Sequence, residues 1–220
     1  MITKTEFNET IAKFDILEKR GSFYDMAVEL INNNFEIEAY LLFLATWNFA
    51  NFRYAVKDFD INNFKIKIVT LKPYFDKLKK EEFSSTDFNK YEVEIRKIYS
   101  TLSSIEGVKY TGASKIMHLK NRKIFVIWDG YIKGNKSRRY YDRLEIVKSG
   151  KWKIKKYDNN ADDYLDFLKD MQFLFRNIEF EDKNKTFAKA IDEFNYVNIT
   201  LPIQEIEKQE KLEQKKRGDS

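Results

Sequence analysis

Two short stretches of the sequence contain residue types that could do chemistry. The first runs from Leu102 to Met117, where a Gly107-Val108 pair separates two helical patterns. A tight turn of this kind leaves backbone N–H groups and the N-terminus of the second helix pointing outward, where both favour an anion such as a phosphate oxygen. Lys109 adds a positive charge at the same place. Taken alone, the pattern also fits an ordinary corner between two helices.

The second stretch places a single acid at the end of an apolar run. Asp129 follows the run from Phe125 to Trp128, sixteen residues after Ala113, and precedes Gly130. Its surroundings in the sequence are otherwise basic. An isolated carboxylate in such a setting is a candidate for a catalytic group.

The basic segment that surrounds Asp129 runs from Lys109 to Lys156. It contains 15 Lys and Arg against three acidic residues, net +12, whereas the remainder has 25 basic and 32 acidic residues, net −7, in a chain of formal charge +5. This asymmetry favours a polyanionic partner. The alternative is that lysines are scattered over solvated faces without such a role.

Together, the turn, the apolar approach and the aspartate resemble the helix-hairpin-helix DNA glycosylase superfamily. The string from Asp129 to Lys133 is particularly similar to the adenine-mismatch glycosylases, which have Asp-Gly, an aliphatic residue and a basic residue at this place. The resemblance covers about residues 102–133, and outside them it extends only to helical character. It implies a multi-helix glycosylase-like fold that contains a helix-hairpin-helix motif.

The resemblance implies a role for each matching residue. Gly107, Val108 and Ala113 match the hairpin. Asp129 matches the family aspartate, which stabilises positive charge on the sugar or activates water. Because the chain has no cysteine, the resemblance cannot extend to the members that hold an iron–sulfur cluster.

Two positions depart from the family pattern. Lys109 stands where the hairpin has its second glycine, which strains the turn or weakens the approach of its backbone to phosphate. Thr111 stands where some members have a lysine that attacks the sugar, which implies a monofunctional enzyme that leaves an abasic site. Lys115, one helical turn later on the same face, is the substitute candidate for that lysine, although phosphate contact or solvent exposure is the simpler interpretation.

The resemblance also implies that double-stranded DNA is the partner. The candidate contacts with DNA are Gly107, Val108, Lys109, Thr111, Gly112, Lys133, Arg138 and Arg139. A flipped base needs a pocket that pairs its edge and stacks its face. Trp47, Asn48 and Asn51, in a long apolar helix, are candidate lining residues, and plain core packing is the alternative for Trp47.

Composition favours an all-α protein and excludes several kinds of site. Of 220 residues, 43% are hydrophobic and only seven are Gly and two Pro, too few for the turns of a β-sandwich or barrel. With no Cys and one His, disulfides, thiolate metal sites and paired-histidine chemistry are excluded. We expect neither metal nor organic cofactor. The chain begins without an apolar signal region, which predicts an intracellular, cytoplasmic protein without a membrane span.

The pattern of apolar residues predicts one helical domain over residues 1–204, with two lobes as the alternative, and a charged, solvated tail over 205–220. The hairpin and basic segment occupy residues 102–156. Around Ser149-Gly150, residues 144–154 fit a short β-hairpin. The expected helices cover residues 5–20, 22–32, 35–56, 88–106, 162–178 and 184–194, with one more whose first turn contains Pro73 and another that follows Gly107.

Three functions are consistent with the sequence. The first is a glycosylase that excises a damaged, mismatched or modified base with Asp129. The second is a non-catalytic DNA-binding protein that keeps the hairpin and the basic face, which the residues Lys109 and Thr111 favour. The third is a helical interaction protein in which Asp129 merely caps a helix that begins near Gly130.

Overall fold

The computed structural model describes residues 1–19 and 21–218, apart from the side chains of residues 50, 51, 217 and 218. Every regular element within these residues is helical, so the expectation of an all-α protein is confirmed. The helices are α1 (Lys4–Leu17), α2 (Gly21–Asn32), α3 (Glu36–Trp47), α4 (Phe49–Ala55), α5 (Ile61–Leu78), α6 (Glu92–Ser103), α7 (Lys109–Lys120), α8 (Arg138–Tyr141), α9 (Glu145–Lys148), α10 (Ala161–Leu174), α11 (Phe187–Asn195) and α12 (Leu201–Gly218). A π-helical segment, Tyr196–Thr200, joins α11 to α12.

An aromatic cluster fixes the centre of the fold. The Tyr99 ring of α6 stacks on Tyr164 of α10 at 4.7 Å between centroids, and the buried Trp128 ring lies 5.0 Å from Tyr164 and 5.4 Å from Phe167. Edge-on and offset aromatic pairs of this kind are favourable beyond the apolar area they bury. The residue directly before Asp129 is therefore held rigidly between two helices.

The two ends of the chain pack against each other. On α1, the buried Phe7 ring lies 5.3 Å from Phe175 and 5.4 Å from Phe194, which belongs to α11. Helices α1 and α11 therefore pack into the same core as α6, α7 and α10.

The long helix expected over residues 35–56 is wrong, because it is broken at Asn48 into α3 and α4. Asn48 has φ −122° and ψ 22°, outside the helical region. Its side chain is buried and donates hydrogen bonds to the carbonyl oxygens of Gly107 and Val108. A contact 59 residues away along the chain therefore decides where α3 ends.

Pro73 does not lie in the first turn of a helix, because it lies inside α5. The helix begins twelve residues earlier at Ile61, where the Asp60 carboxylate accepts a hydrogen bond from the N–H of Asn63. Proline removes the N–H that would bond the carbonyl of Val69, and Val69 is exposed, so water can reach that carbonyl. The buried face of α5 keeps the helix intact despite the proline.

The β-hairpin expected over residues 144–154 is also wrong. Residues 145–148 form the short helix α9, and no strand is present among the described residues. The turn is placed as expected, since Gly150 has φ +69°. A single backbone bond, from the N–H of Trp152 to the carbonyl of Ile146, joins the two arms. The first arm buries Leu144 and Ile146 and the second buries Trp152, and a short helix can bury such side chains as well as a strand can.

Residues 205–218 are helical as part of α12, and residues 211–216 are exposed. Glu207 and Glu210 of this segment contact the basic segment. Among the described helices, none combines the length and the apolar character needed to cross a membrane. The expected end of the first helix at Arg20 and the last two residues, 219–220, lie outside the described residues.

Candidate functional site

The turn between α6 and α7 has the backbone of a tight hairpin. Gly107 has φ +83° and Lys109 has φ +52°, so both adopt the left-handed conformation. The turn packs against α4: a Cβ added to Gly107 would lie 2.9 Å from Cβ of Ala55 and 3.4 Å from the Phe52 ring. Only glycine fits this contact without a shift in α4.

The outward side of the hairpin is the first turn of α7. Gly107, Val108 and Gly112 are buried, whereas Lys109 and Thr111 are partly exposed. The ammonium of Lys109 pairs with the Glu106 carboxylate at 2.5 Å. The N–H of Lys109 already donates to the carbonyl of Ile105 at 3.2 Å. Helical N–H groups in a first turn have no intrahelical acceptor, so an anion would meet α7 at residues 110 and 111 rather than at Gly107.

Asp129 follows a residue, Trp128, that is hydrogen-bonded to α7. The indole N–H of Trp128 donates to the carbonyl of Tyr110 at 3.4 Å, and Ser114 of α7 bonds the Trp128 backbone. These bonds tie the residue before Asp129 to α7. The hairpin and the aspartate that the sequence placed apart are therefore neighbours in the fold.

Three donors hold the carboxylate of Asp129. Its Oδ1 accepts hydrogen bonds from the N–H groups of Tyr131 at 2.8 Å and Ile132 at 2.9 Å. Its Oδ2 accepts one from the hydroxyl of Thr200 at 2.9 Å. The side chain is nevertheless partly exposed. Asp129 caps a turn over residues 130–134, which ends at Gly134 with φ +73°. It does not cap a helix.

Lys115 is buried, with 6% of its surface exposed, so the expectation of solvent exposure is wrong. Its ammonium donates to the carbonyl of Trp47, at the carboxyl end of α3, where a positive charge complements the helix dipole. Trp47 itself is partly buried and packs on Phe43 at 5.8 Å. The side chain of Asn51, also a candidate for the base pocket, lies outside the described residues.

A buried charge cluster on α11 lies close to Lys115 and Asp129. The Lys189 ammonium contacts Asp192 at 2.9 Å and Glu193 at 3.5 Å. Burial raises the pKa of Asp192, the charges of Lys189 and Lys115 oppose that rise, and the charge of Asp129 adds to it. Asp129, Lys115 and Asp192 therefore share one electrostatic neighbourhood.

This cluster was not predicted, although Lys189, Asp192 and Glu193 have the i, i+3, i+4 spacing of neighbours on one helical face in the sequence. Burial alone would lower the pKa of Lys189, but the two carboxylates outweigh it and the pKa lies above the usual range. A buried charged group needs such compensation, because removal of one partner leaves the other uncompensated.

His118 has a structural role. Its Nδ1 lies 2.6 Å from the carbonyl oxygen of Phe125 and its Nε2 lies 2.8 Å from the hydroxyl of Tyr24. The ring is fully buried, and desolvation lowers the pKa of His118 to about 3. The neutral ring therefore donates from Nδ1 and accepts at Nε2. Because it stays neutral near pH 7, it does not gain or lose a proton there.

Lys133 is buried, although it was a candidate for contact with DNA. Its ammonium donates to Oδ1 of Asn159 and lies 5.0 Å from the centroid of the Trp128 ring. Burial lowers the pKa of Lys133 to about 8, while the charge of Asp129 opposes that change. In this arrangement Lys133 supports the Asp129 turn from within and presents no charge to a DNA backbone.

Most of the basic segment is neutralised inside the protein. Nine of its 15 basic residues have a carboxylate oxygen within 4.0 Å: Lys109, Lys120, Lys123, Lys136, Arg138, Arg139, Arg143, Lys151 and Lys155. Arg138 pairs with Asp142 at 2.8 Å, whereas Arg139 reaches Glu210 of α12 at 2.7 Å. Much of the charge asymmetry of the sequence is thus an internal pairing between the basic segment and acidic residues elsewhere.

A surface groove of about 670 Å³ runs along α12 beside the Asp129 turn. Tyr131, two residues after Asp129, and Gln204, one helical turn after Thr200, line it together with lysines of α12. The groove thus adjoins Tyr131, one of the three residues that donate to the Asp129 carboxylate.

Comparison of the chain with protein-family models, with curated proteins and with solved structures finds no match. The resemblance to the glycosylases therefore rests on residues 102–133 alone.

Proposed function

We propose that the protein is a monofunctional DNA glycosylase, which flips and excises a damaged, mismatched or modified base. The observation that carries the proposal is the fixed, partly exposed carboxylate of Asp129, which directly follows a residue bonded to α7. Cleavage of an N-glycosidic bond builds positive charge on the deoxyribose, and a preorganised carboxylate stabilises that charge. Asp129 would act in this way or by activation of the attacking water.

The first turn of α7 would bind the DNA backbone. Its N–H groups and the positive end of the helix dipole favour a phosphate oxygen, and Lys109 lies at the same surface. Lys115 supports monofunctional chemistry, because its ammonium is buried against the carbonyl of Trp47 and is not presented to a sugar. The product would be a free base and an intact strand with an abasic site.

A second candidate function is a DNA-binding protein without catalysis. It is favoured by the fact that both carboxylate oxygens of Asp129 already accept hydrogen bonds within the chain. Such bonding is also what an aspartate shows when its role is only to cap a turn.

A panel of duplexes tests the two functions together. Each duplex would contain one uracil, hypoxanthine, oxidised guanine, alkylated base or mismatch, and hot alkali would reveal abasic sites after incubation with the protein. The proposal predicts alkali-dependent cleavage of at least one duplex and its loss in Asp129→Asn. Equal activity in the variant and the wild type would remove Asp129 from the mechanism. Salt-dependent binding to every duplex without cleavage of any would favour the second function.

A further inference from the structure

The carboxyl-terminal helix α12 is attached to the basic segment by two carboxylates. Glu207 accepts hydrogen bonds from the Lys136 ammonium at 2.8 Å and from the Tyr131 hydroxyl at 3.0 Å. Glu210 accepts them from Arg139 at 2.7 Å and from the Tyr140 hydroxyl at 2.9 Å. A third cation, Arg143, lies 3.6 Å from the same carboxylate.

The two glutamates hold a helix that has little other attachment there. Ile203 is fully buried, but Leu212 is 51% exposed and residues 211–216 are all exposed. Beyond Ile203, the described part of α12 has one partly buried apolar residue, Ile206, and is attached mainly by ion pairs and tyrosine hydroxyls.

The cations of Arg139 and Arg143 are largely exposed, whereas Lys136 and the two carboxylates are partly buried. Ion pairs near the surface are weak and weaken further as salt rises. Another anion could therefore replace the carboxylates of Glu207 and Glu210 with a small loss of free energy.

The surface below α12 has the composition of a binding site for a nucleic-acid backbone. It combines Lys136, Arg139 and Arg143 with the hydroxyls of Tyr131 and Tyr140, and each of the two carboxylates receives at least one cation and one hydroxyl donor. Arginine, lysine and tyrosine hydroxyl groups are the usual donors to phosphate oxygens. The two carboxylates accept from the donors that phosphate oxygens would use.

We propose that this surface, formed by Tyr131, Lys136, Arg139, Tyr140 and Arg143, binds a nucleic-acid backbone, and that Glu207 and Glu210 of α12 occupy it in the free protein. The inference rests on the proposed function, because it identifies where the DNA of that function would lie. Binding exchanges two carboxylates for phosphates, and α12 leaves the surface from Gln204 onward. In the free protein, α12 therefore competes with DNA for this surface.

Two double variants of equal charge test the proposal. Glu207→Gln/Glu210→Gln removes the competing charges, and Glu205→Gln/Glu213→Gln makes the same change at exposed positions of the same helix. Fluorescence anisotropy would measure the affinity of each full-length protein for a 20-base-pair duplex across a range of salt concentrations. The first variant should bind DNA about tenfold more tightly than the control. The ion pairs of Glu207 and Glu210, which this variant removes, together oppose DNA binding by about that factor. Added Arg139→Ala should abolish most of the gain.

The outcomes separate this inference from the proposed function. If the wild type binds DNA and both double variants bind equally well, the competition by α12 is wrong while the proposed function stands. If none of the proteins binds DNA, both proposals are wrong. Hydrogen exchange of the wild type provides a second measurement: the amides of residues 204–216 should lose protection when the duplex is added, and unchanged protection would also overturn the inference.

Discussion

The hydroxyl of Thr200 donates a 2.9 Å hydrogen bond to Oδ2 of Asp129, although the two residues are 71 positions apart in the sequence. Thr200 is the last residue of the π-helical segment and is 1% exposed. A π-helical turn contains one more residue than an α-helical turn and is frequent at functional sites. The widened turn gives the carboxylate a third donor, which complements the two that its own turn supplies.

Thr200→Val should reduce base excision while the affinity for DNA stays the same. Valine keeps the shape of threonine but removes the hydroxyl, so the Asp129 carboxylate loses one of its three donors. We expect a stability loss of about 1–3 kcal/mol in urea unfolding, the usual cost of a lost hydrogen bond to a charged group. Thr200→Ser keeps the hydroxyl and should retain most of the activity, and equal loss in both variants would mean that only packing matters here.

Lys109→Gly should stabilise the protein. Lysine at φ +52° is strained by about 1–2 kcal/mol relative to glycine, and the greater freedom of glycine in the unfolded chain offsets part of this. The net gain in the free energy of unfolding is expected to be about 0.5–1 kcal/mol. Lys109→Ala removes the ion pair with Glu106 and keeps the strain, so a similar gain in that variant would point to the charge instead.

Gly107→Ala should destabilise the protein more than Gly150→Ala does. Both glycines have positive φ, +83° and +69°, so each alanine costs about 1–2 kcal/mol of backbone strain. Only at Gly107 does the added Cβ meet other atoms, 2.9 Å from Ala55. We expect a loss of more than about 2 kcal/mol at Gly107 in urea unfolding. Equal losses would show that α4 does not pack on the turn.

The protein should lose stability as the pH falls below 6.5 because His118 is buried in its neutral form. Its pKa is about 3 in the folded chain and 6.5 in the unfolded chain, so the unfolded state binds more protons between these values. Stability is fully present above pH 6.5 and declines toward pH 3. Between pH 7 and pH 5 this amounts to about 2 kcal/mol. His118→Asn should lack this component, and an identical pH dependence in both proteins would contradict it.

Local signals in the sequence were sufficient for most of the helices but not for their breaks. The apolar spacing of α1, α2, α10 and α11 predicts helices at these places, and the Gly107 turn predicts the corner between α6 and α7. The break at Asn48 could not be predicted, because it depends on carbonyl groups 59 and 60 residues away. The short α9 was missed because a four-residue helix has no periodicity to detect.

Of the residues of the candidate site, only those with a local signal in the sequence could be predicted. The sequence predicted Asp129 as the key residue, because an aspartate at the end of an apolar run is a local feature. Thr200 and the cluster at Lys189, Asp192 and Glu193 reach the site from the carboxyl-terminal part of the chain, and no local pattern connects them to Asp129. The ion pairs of the basic segment could not be predicted for a related reason, since the carboxylates that form them come from several distant elements.

The most direct test of the role of Asp129 is a single-turnover measurement of base release. Wild type and Asp129→Asn, each in excess over the duplex that is cleaved in the panel, would be compared for the rate of free-base release and for the dissociation constant. The wild type should release one base per duplex, and the variant should be slower by at least about a hundredfold with equal or tighter binding. Base release by the variant at the wild-type rate would contradict the proposed function of Asp129.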